Sequence, residues 1–277
     1  MIGIILVLFA GFFEETSNSL GKKIITEKVK EFFIVGFLYL FWTTAIFFAI
    51  ALFRGEFIFK LASLPFFIPR AILEIMLAHV GLVALREADR STFSFVRIIT
   101  IPLLLAVDFI LGYSITATQF LGIIIIVLSL IILMLRSGLN FKGIGYTIFT
   151  AIVAVITLSL YKYNITHFNS VEAEEGVIYL ILTIYFMIRA TSASGELPFS
   201  YLKKPKYIML SATRSLAAVV GSFAYIFAPA TVIVAGRRAA SVFLAVLSGH
   251  FYFRERHVLK KLVAFIGVVA GIILLAL

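Results

Sequence analysis

The sequence predicts an all-α integral membrane protein with ten transmembrane helices, arranged as two five-helix inverted-topology repeats. Three observations lead to this prediction: the composition, ten apolar segments, and a similarity between one stretch in each half of the chain. Of 277 residues, 62% are hydrophobic and 14% are charged, with a mean hydropathy of +1.12. A water-soluble domain is nearer half apolar and could not bury this much apolar surface. A bilayer removes the difficulty because it solvates apolar side chains.

The ten apolar segments each approach the length of about 20 residues that a helix needs to cross a bilayer. Segments of the first half cover residues 2–20, 32–53, 66–86, 92–112 and 119–135. Segments of the second half cover residues 143–163, 176–195, 207–226, 230–252 and 260–277. Strands of a membrane barrel would alternate in polarity over about ten residues. No such pattern recurs here, so the spans are predicted to be helices.

The chain also carries a weak internal repeat. Residues 19–26 match residues 159–166 at five of eight positions, and the same shift in numbering, which we call the repeat offset, brings Arg97 onto Arg237. This divides the chain into a first repeat, 1–135, and a second, 136–277. Because each repeat has an odd number of predicted spans, the second must enter the membrane in the opposite orientation, as in many secondary transporters.

The turn before the last segment allows a comparison with a known family. It reads Arg254-Glu255-Arg256 and is followed by Leu262, Gly267 and Gly271. Together with the ten short spans, it resembles the drug/metabolite transporter superfamily, particularly EamA-like members, which have a Gly-Glu-Arg turn before a Gly-spaced final helix. Arg254 stands where the family has Gly, and the corresponding stretch of the first half, 112–114, has no Glu. The resemblance implies secondary transport by alternating access.

Three arginines inside predicted spans, Arg97, Arg237 and Arg238, are candidate substrate-binding residues. A charge at membrane depth costs about 2.5–3.5 kcal/mol on insertion scales, so it normally faces the bundle interior and has a partner. Guanidinium groups bind carboxylates and phosphates bidentately. The Arg237-Arg238 pair is similar to the Lys-Arg dipeptide that binds phosphate in the sugar-phosphate translocators of this superfamily. The alternative is that these arginines pair with Asp108 or Glu74.

Glu14 and Glu15, in the first segment, are candidates for proton coupling. A buried carboxyl group exchanges protons nearer neutral pH, and the small multidrug-resistance relatives use one Glu in their first span in this way. The alternative is that one of them neutralises an intramembrane arginine. Asn18 and Tyr161 bring polar groups into the first helix of each half and are further candidates for binding substrate.

Other charged residues are predicted to form structural ion pairs. Arg70 and Glu74 are four residues apart and share one helix face. Glu74 falls opposite Arg214 under the repeat offset. Asp108, in the fourth segment, completes this group.

Several chemistries have no motif to support them. The chain has no cysteine, which excludes disulfides and thiol ligands. It also lacks a phosphate-binding loop, a His-Glu-x-x-His zinc motif and a Gly-x-Ser-x-Gly elbow. The net charge of +10 comes from basic residues at the ends of apolar runs, so nucleic acid is not an expected partner. We therefore expect no enzyme activity, no cofactor and no metal.

The expected function is secondary transport of a small polar metabolite, an amino acid or similar carboxylate, with export as the direction. The alternatives are a phosphorylated-metabolite exchanger, a proton-coupled exporter of cationic drugs and, in a different class, a membrane-embedded enzyme or scaffold. The expected partners are the solute, the lipid bilayer and coupling protons, for a monomer or a homodimer. The expected location is the plasma membrane of a prokaryote.

The orientation of the termini is predicted in two opposite ways. Fifteen Lys and Arg lie in junctions after odd-numbered segments and four after even-numbered ones. The positive-inside rule then places both termini outside the cell. The family resemblance implies that both termini are cytoplasmic.

Overall fold

A computed structural model describes residues 2–27, 31–110, 116–135, 142–227, 230–255 and 258–276. These residues contain eleven α-helices and no strand, which confirms the predicted all-α class. The α-helices are α1 Ile2–Glu27, α2 Phe32–Arg54, α3 Leu64–Glu87, α4 Arg90–Val96, α5 Thr100–Ile110, α6 Ala117–Leu135, α7 Ile144–His167, α8 Val171–Ser194, α9 Pro205–Phe227, α10 Ala230–Phe251 and α11 Val258–Ala276. Short 3₁₀ helices cover Leu61–Ser63, Arg97–Ile99 and Pro198–Lys203.

The fourth predicted segment is not a continuous α-helix. Its α4 and α5 parts are joined by the 3₁₀ turn Arg97–Ile99. Pro102 explains the interruption, because proline has no N–H to donate to the carbonyl of Ile98 and its ring crowds that oxygen. The Thr100 hydroxyl donates to the Arg97 carbonyl at 2.7 Å and closes the turn. The break fixes the position at which Arg97 leaves the helix.

Among the residues that the structure describes, six stretches are long and apolar enough to cross a membrane. They are Phe32–Arg54, Leu61–Glu87, Arg90–Val107, Ile144–His167, Val171–Ser194 and Pro205–Phe227. Large apolar side chains also face outward, among them Phe53, Ile110 and Leu259. Lipid solvates such side chains, so these observations indicate a multi-pass membrane protein. That α1, α6, α10 and α11 also cross the membrane remains a prediction.

Most of the tight helix packing joins the first half of the chain to the second. Helix α2 packs on α8, α1 on α9 and α10, α3 on α7, and α6 on α11. The buried apolar residues form two clusters, one around α4, α5, α10 and α11 and the other around α2, α3 and α8.

Candidate functional site

Three arginines converge on one glutamate to form what we call the arginine cluster: Glu14, Arg97, Arg237 and Arg238. Arg237 Nε donates to Glu14 Oε2 at 2.5 Å, and Arg97 Nη1 lies 3.4 Å from Glu14 Oε1. Arg238 Nη1 is 3.9 Å from the same oxygen. The Glu14 side chain is only 4% exposed. The structure therefore brings together four residues that were predicted to form two separate sites.

Two glycines allow this approach. A Cβ placed on Gly11 would lie 2.7 Å from the Cβ of Ala240, so α1 and α10 touch through the glycine one turn before Glu14. A Cβ placed on Gly221 of α9 would lie 3.0 Å from Arg237 Nη1. Small residues let membrane helices pack closely. Here the absence of a side chain at Gly221 also leaves room for the guanidinium group of Arg237.

The arginine cluster has two more positive charges than negative ones, because one carboxylate faces three guanidinium groups. Arg97 Nε and Arg238 Nε are buried and have no hydrogen-bond partner among the described residues. Within the same residues, the buried hydroxyls of Ser17 and Ser241 have none either. Ser17 lies three residues after Glu14 and Ser241 three after Arg238, so both share the helix face of the cluster. Positive charge together with unused donors suits an anionic ligand.

Glu15 is held in a separate ion pair. Arg90 Nε and Nη2 donate to its two carboxylate oxygens at 3.1 and 2.6 Å. Ser19 and Ser248 also donate to it. Arg90 is fully buried, and this bidentate pair ties α1 to α4, while the Ser248 hydroxyl links α10 to the same carboxylate. Both glutamates predicted for proton coupling are therefore paired with arginine. This arrangement matches the alternative prediction, in which a glutamate of the first segment neutralises an arginine.

A cavity of about 150 Å³ lies beside the arginine cluster and shares Arg97 with it. Its other polar lining residues are Asn18, Tyr39, Glu74, Thr150, Tyr179 and Arg214. Tyr39 and Tyr179 are related by the repeat offset, and so are Glu74 and Arg214. The cavity therefore lies where equivalent positions of the two proposed repeats meet. At one such pair of positions the charges are opposite, which makes the lining dipolar.

The remaining predicted site residues are placed as follows. Asn18 lines the cavity, whereas Tyr161 does not, and its hydroxyl donates to the Ser222 carbonyl at 3.1 Å. Arg214 stacks on the ring of Tyr39, with its guanidinium carbon 5.0 Å from the centroid. The side chain of Asp108 lies outside the described residues.

Arg70 does not form the predicted ion pair with Glu74. Its Nη1 and Nη2 donate instead to Glu174 and Glu175 of α8, at 2.7 and 2.5 Å. The partners come from another helix because α3 turns Arg70 towards the first turn of α8, and Glu74 faces the cavity. The carboxylates of α8 were missed because the seventh span was predicted to begin at residue 176. Their acidic spacing before an apolar run is a helix-start signal that would have moved that boundary.

Glu255, in the turn before α11, joins the two halves of the chain. Its carboxylate accepts the backbone N–H of Arg90 at 2.6 Å, the Ser91 hydroxyl, and Lys261 Nζ at 2.9 Å. Burial opposes ionisation, but the hydrogen bonds from Ser91 and Lys261 outweigh it and lower the pKa of Glu255. Arg254 before it has a φ of 53°, in the left-handed region that favours glycine. The Glu of this turn thus caps α4.

Comparison with protein-family models finds no match to this chain, and comparison with curated proteins finds none either. The resemblance to EamA-like transporters therefore remains a prediction. No group of three His, Asp or Glu side chains within the described ranges is arranged to hold a metal ion.

Proposed function

We propose that the protein is a ten-span secondary transporter that moves a small carboxylate-bearing metabolite, such as an amino acid, by alternating access. In this proposal the chain consists of two inverted five-helix halves, and the solute binds in the cavity between them. Export is the proposed direction. The observation that carries the proposal is the dipolar cavity, with Arg97 and Arg214 facing a space that Glu74 also lines.

The helix boundaries support a duplicated chain. Helices α1, α2 and α3 correspond to α7, α8 and α9 under the repeat offset, and the ends of α2 and α8, at residues 54 and 194, differ by that offset and are each followed by a left-handed glycine, Gly55 and Gly195. The packing follows the same exchange, since α1 packs on α9 and its counterpart α7 packs on α3. Helices α2 and α8, which are counterparts, pack on each other. This is the pattern expected of two halves related by a pseudo-two-fold axis.

A repeated side-chain contact also supports the duplication. Lys22 of α1 donates through Nζ to the carbonyl of Ala88, just after α3. Lys162, its counterpart on α7 under the repeat offset, donates to the carbonyl of Tyr225 at 2.6 Å, in the last turn of α9. Both lysines bond carbonyls at a helix C-terminus, where the helix dipole favours positive charge. The matching segments 19–26 and 159–166 thus make the same kind of contact at their shared lysine.

The cavity suits a small zwitterion in size and charge. A cavity of about 150 Å³ holds a ligand such as benzene, of roughly six non-hydrogen atoms. Arg97 and Arg214 offer guanidinium donors for a carboxylate, and Glu74 offers an acceptor for an ammonium group. Arg97 also belongs to the arginine cluster, which has excess positive charge. Entry of an anionic group would therefore change the ion pairs between Glu14 of α1 and the arginines of α10.

The proposal is tested by flux into liposomes that contain the purified protein, with radiolabelled amino acids compared against sugar phosphates. We expect saturable amino-acid flux that falls at least tenfold in Arg97→Gln, because a hydrogen bond to a charged group contributes about 1.5–3 kcal/mol. We also expect a lower flux when Arg237 and Arg238 are both replaced by alanine. Saturable flux of sugar phosphates alone would favour the phosphate exchanger. Undiminished flux in the double variant would exclude the arginine cluster from substrate binding.

A matched pair of glycine substitutions tests the cavity itself. A Cβ added at Gly81, which lines the cavity, meets no atom within 4 Å, and the same holds for Gly145 outside it. Gly81→Leu should therefore fold but fill the cavity and abolish flux, whereas Gly145→Leu should leave flux intact. Equal flux in the two variants would show that the solute passes elsewhere.

A further inference from the structure

A second buried charged cluster lies at the start of α8 and has the opposite sign. We call it the acidic cluster, and it consists of Arg70, Glu174 and Glu175 with Asn164 and Asn169. Glu174 accepts from Arg70 at 2.7 Å, from Asn164 Nδ2 at 2.9 Å and from Asn169 Nδ2 at 2.5 Å. For Glu175 one donor is seen, Arg70 Nη2 at 2.5 Å. The two carboxyl groups are thus adjacent in sequence, but Glu174 accepts three hydrogen bonds from the described residues and Glu175 accepts one.

The charges of the acidic cluster do not balance if both carboxyl groups are ionised. Arg70, Glu174 and Glu175 have side chains that are at most 6% exposed, and one guanidinium faces two carboxylates. Glu74, four residues after Arg70, lines the cavity and adds a further carboxylate whose charge acts on Arg70 and Glu175. A buried charge without a partner is costly, and such a group tends to become neutral instead. The cluster therefore calls for one more positive charge.

An unused hydrogen-bond acceptor points to the nature of that charge. Asn164 is fully buried, and its Oδ1 has no donor among the residues that the structure describes. Its Nδ2 contacts Glu174, so Oδ1 lies at the edge of the cluster. Ionised carboxylates can only accept hydrogen bonds, whereas a protonated carboxyl group can donate one. A proton bound within the cluster would supply the missing charge and turn one carboxylate into a hydrogen-bond donor.

We propose that Glu175 is a proton-binding site of this protein. Glu174, with three donors, is stabilised as the anion, whereas Glu175 has one and is the group that becomes neutral. The proton comes from a hydronium ion of the solvent: one O–H bond of hydronium breaks and leaves water, and one O–H bond forms on a Glu175 carboxyl oxygen. The charged and titratable groups that face Glu175 are Arg70 and Glu74 of α3, Tyr161 of α7, Glu174 and Tyr179 of α8, and Tyr225 of α9.

This assignment differs from the proton-coupling role predicted for Glu14 and Glu15. Glu14 is surrounded by three arginines, which favour its ionised form, and Glu15 accepts two hydrogen bonds from Arg90 and one each from Ser19 and Ser248. Glu175 instead belongs to a cluster with excess negative charge, on α8 rather than on α1. A role for Glu175 in coupling rests on the proposed transport function. The proton site itself does not, so its test does not require flux.

The test is infrared spectroscopy of the full-length protein in liposomes at about pH 6, where exposed carboxyl groups are ionised. We expect wild-type protein to show the C=O stretching band of a buried carboxylic acid. We expect Glu175→Gln to lose this band completely. Glu172→Gln is the matched control, because Glu172 is a buried glutamate of the same helix turn that pairs with Arg54 at 2.6 Å. The control should keep the band.

Absence of the band in wild-type protein, or its persistence in Glu175→Gln, would overturn the proposal. Glutamine reproduces the shape of the neutral acid, so Glu175→Gln should also fold and elute from a sizing column as wild type does. Failure of that variant to fold, with Glu175→Asp folding normally, would show that the residue is needed as an anion and would equally overturn it. If no solute is transported but the band behaves as expected, the transport proposal fails and the proton site stands.

Discussion

Replacing Glu14 by glutamine removes the one carboxylate of the arginine cluster while keeping its shape. Three guanidinium groups, with nitrogens 2.5, 3.4 and 3.9 Å from its oxygens, then face one another without a counter-charge. Each contact contributes about 4 kcal/mol of attraction at an effective dielectric constant of 20, offset by several kcal/mol of desolvation. Loss of one partner from a buried ion pair lowers the free energy of unfolding by about 3–5 kcal/mol. We expect a destabilisation of about that size.

The assay is thermal unfolding of purified protein in detergent, followed with and without a high concentration of a small carboxylate. A change of 1 kcal/mol moves the melting temperature of a chain near this size by about 2–4 °C, so Glu14→Gln should melt roughly 6–20 °C lower. The carboxylate should restore more of the melting temperature in the variant than in wild type, because it replaces the missing anion. Glu56→Gln is the control, since Glu56 is half exposed and pairs with Arg54 at the surface. Equal melting temperatures for the two variants would refute the reasoning.

Three further predictions concern packing, backbone strain and pH. Gly271→Ala should lower stability by about 1–3 kcal/mol, because its Cβ would lie 2.7 Å from the Gly122 carbonyl oxygen where α11 meets α6; Gly145→Ala, with open space around it, should be neutral in the same melting assay. Arg254→Gly should raise stability by about 1 kcal/mol, because the left-handed backbone at this position strains any residue with a Cβ; Arg254→Ala should not, and a gain in both variants would contradict the argument. Because the pKa of Glu255 is lower in the folded protein than in the unfolded chain, its contribution to stability is complete above the unfolded pKa and is lost as the pH falls through the folded pKa. Glu255→Gln should therefore unfold with less pH dependence in acid than wild type, as measured by melting temperature across the acidic range.

The residues of the arginine cluster can be identified from the sequence, but their arrangement cannot. Arg97, Arg237, Arg238 and Glu14 stand out because a charge inside an apolar segment is costly and needs a partner. Which partner each one has depends on how α1 rotates against α10, and on glycines that let the helices touch. Neither is visible in a single sequence. Hence Glu14 was predicted to couple protons, and the structure instead surrounds it with arginines.

The acidic cluster was harder to predict for a different reason. Three glutamates before an apolar run look like a solvated helix start, and the predicted membrane span therefore began after them. The structure buries them because Arg54 and Arg70 arrive from α2 and α3, in the other half of the chain. Long-range pairing of this kind leaves no local signal. For the same reason, the sequence does not show that Arg70 pairs with the α8 carboxylates rather than with Glu74.

The sequence by itself determined that the chain is helical and apolar enough to lie in a bilayer, because composition and the length of apolar runs act locally and need no knowledge of packing. It also located the charges inside apolar segments and the repeat offset. Only the tertiary structure decided that these charges separate into a basic cluster at Glu14 and an acidic one at Glu175, with a cavity bordered by Arg97 and Glu74. The physical reason is that a buried charge is stabilised by whichever opposite charge the packing of distant helices brings within a few ångströms.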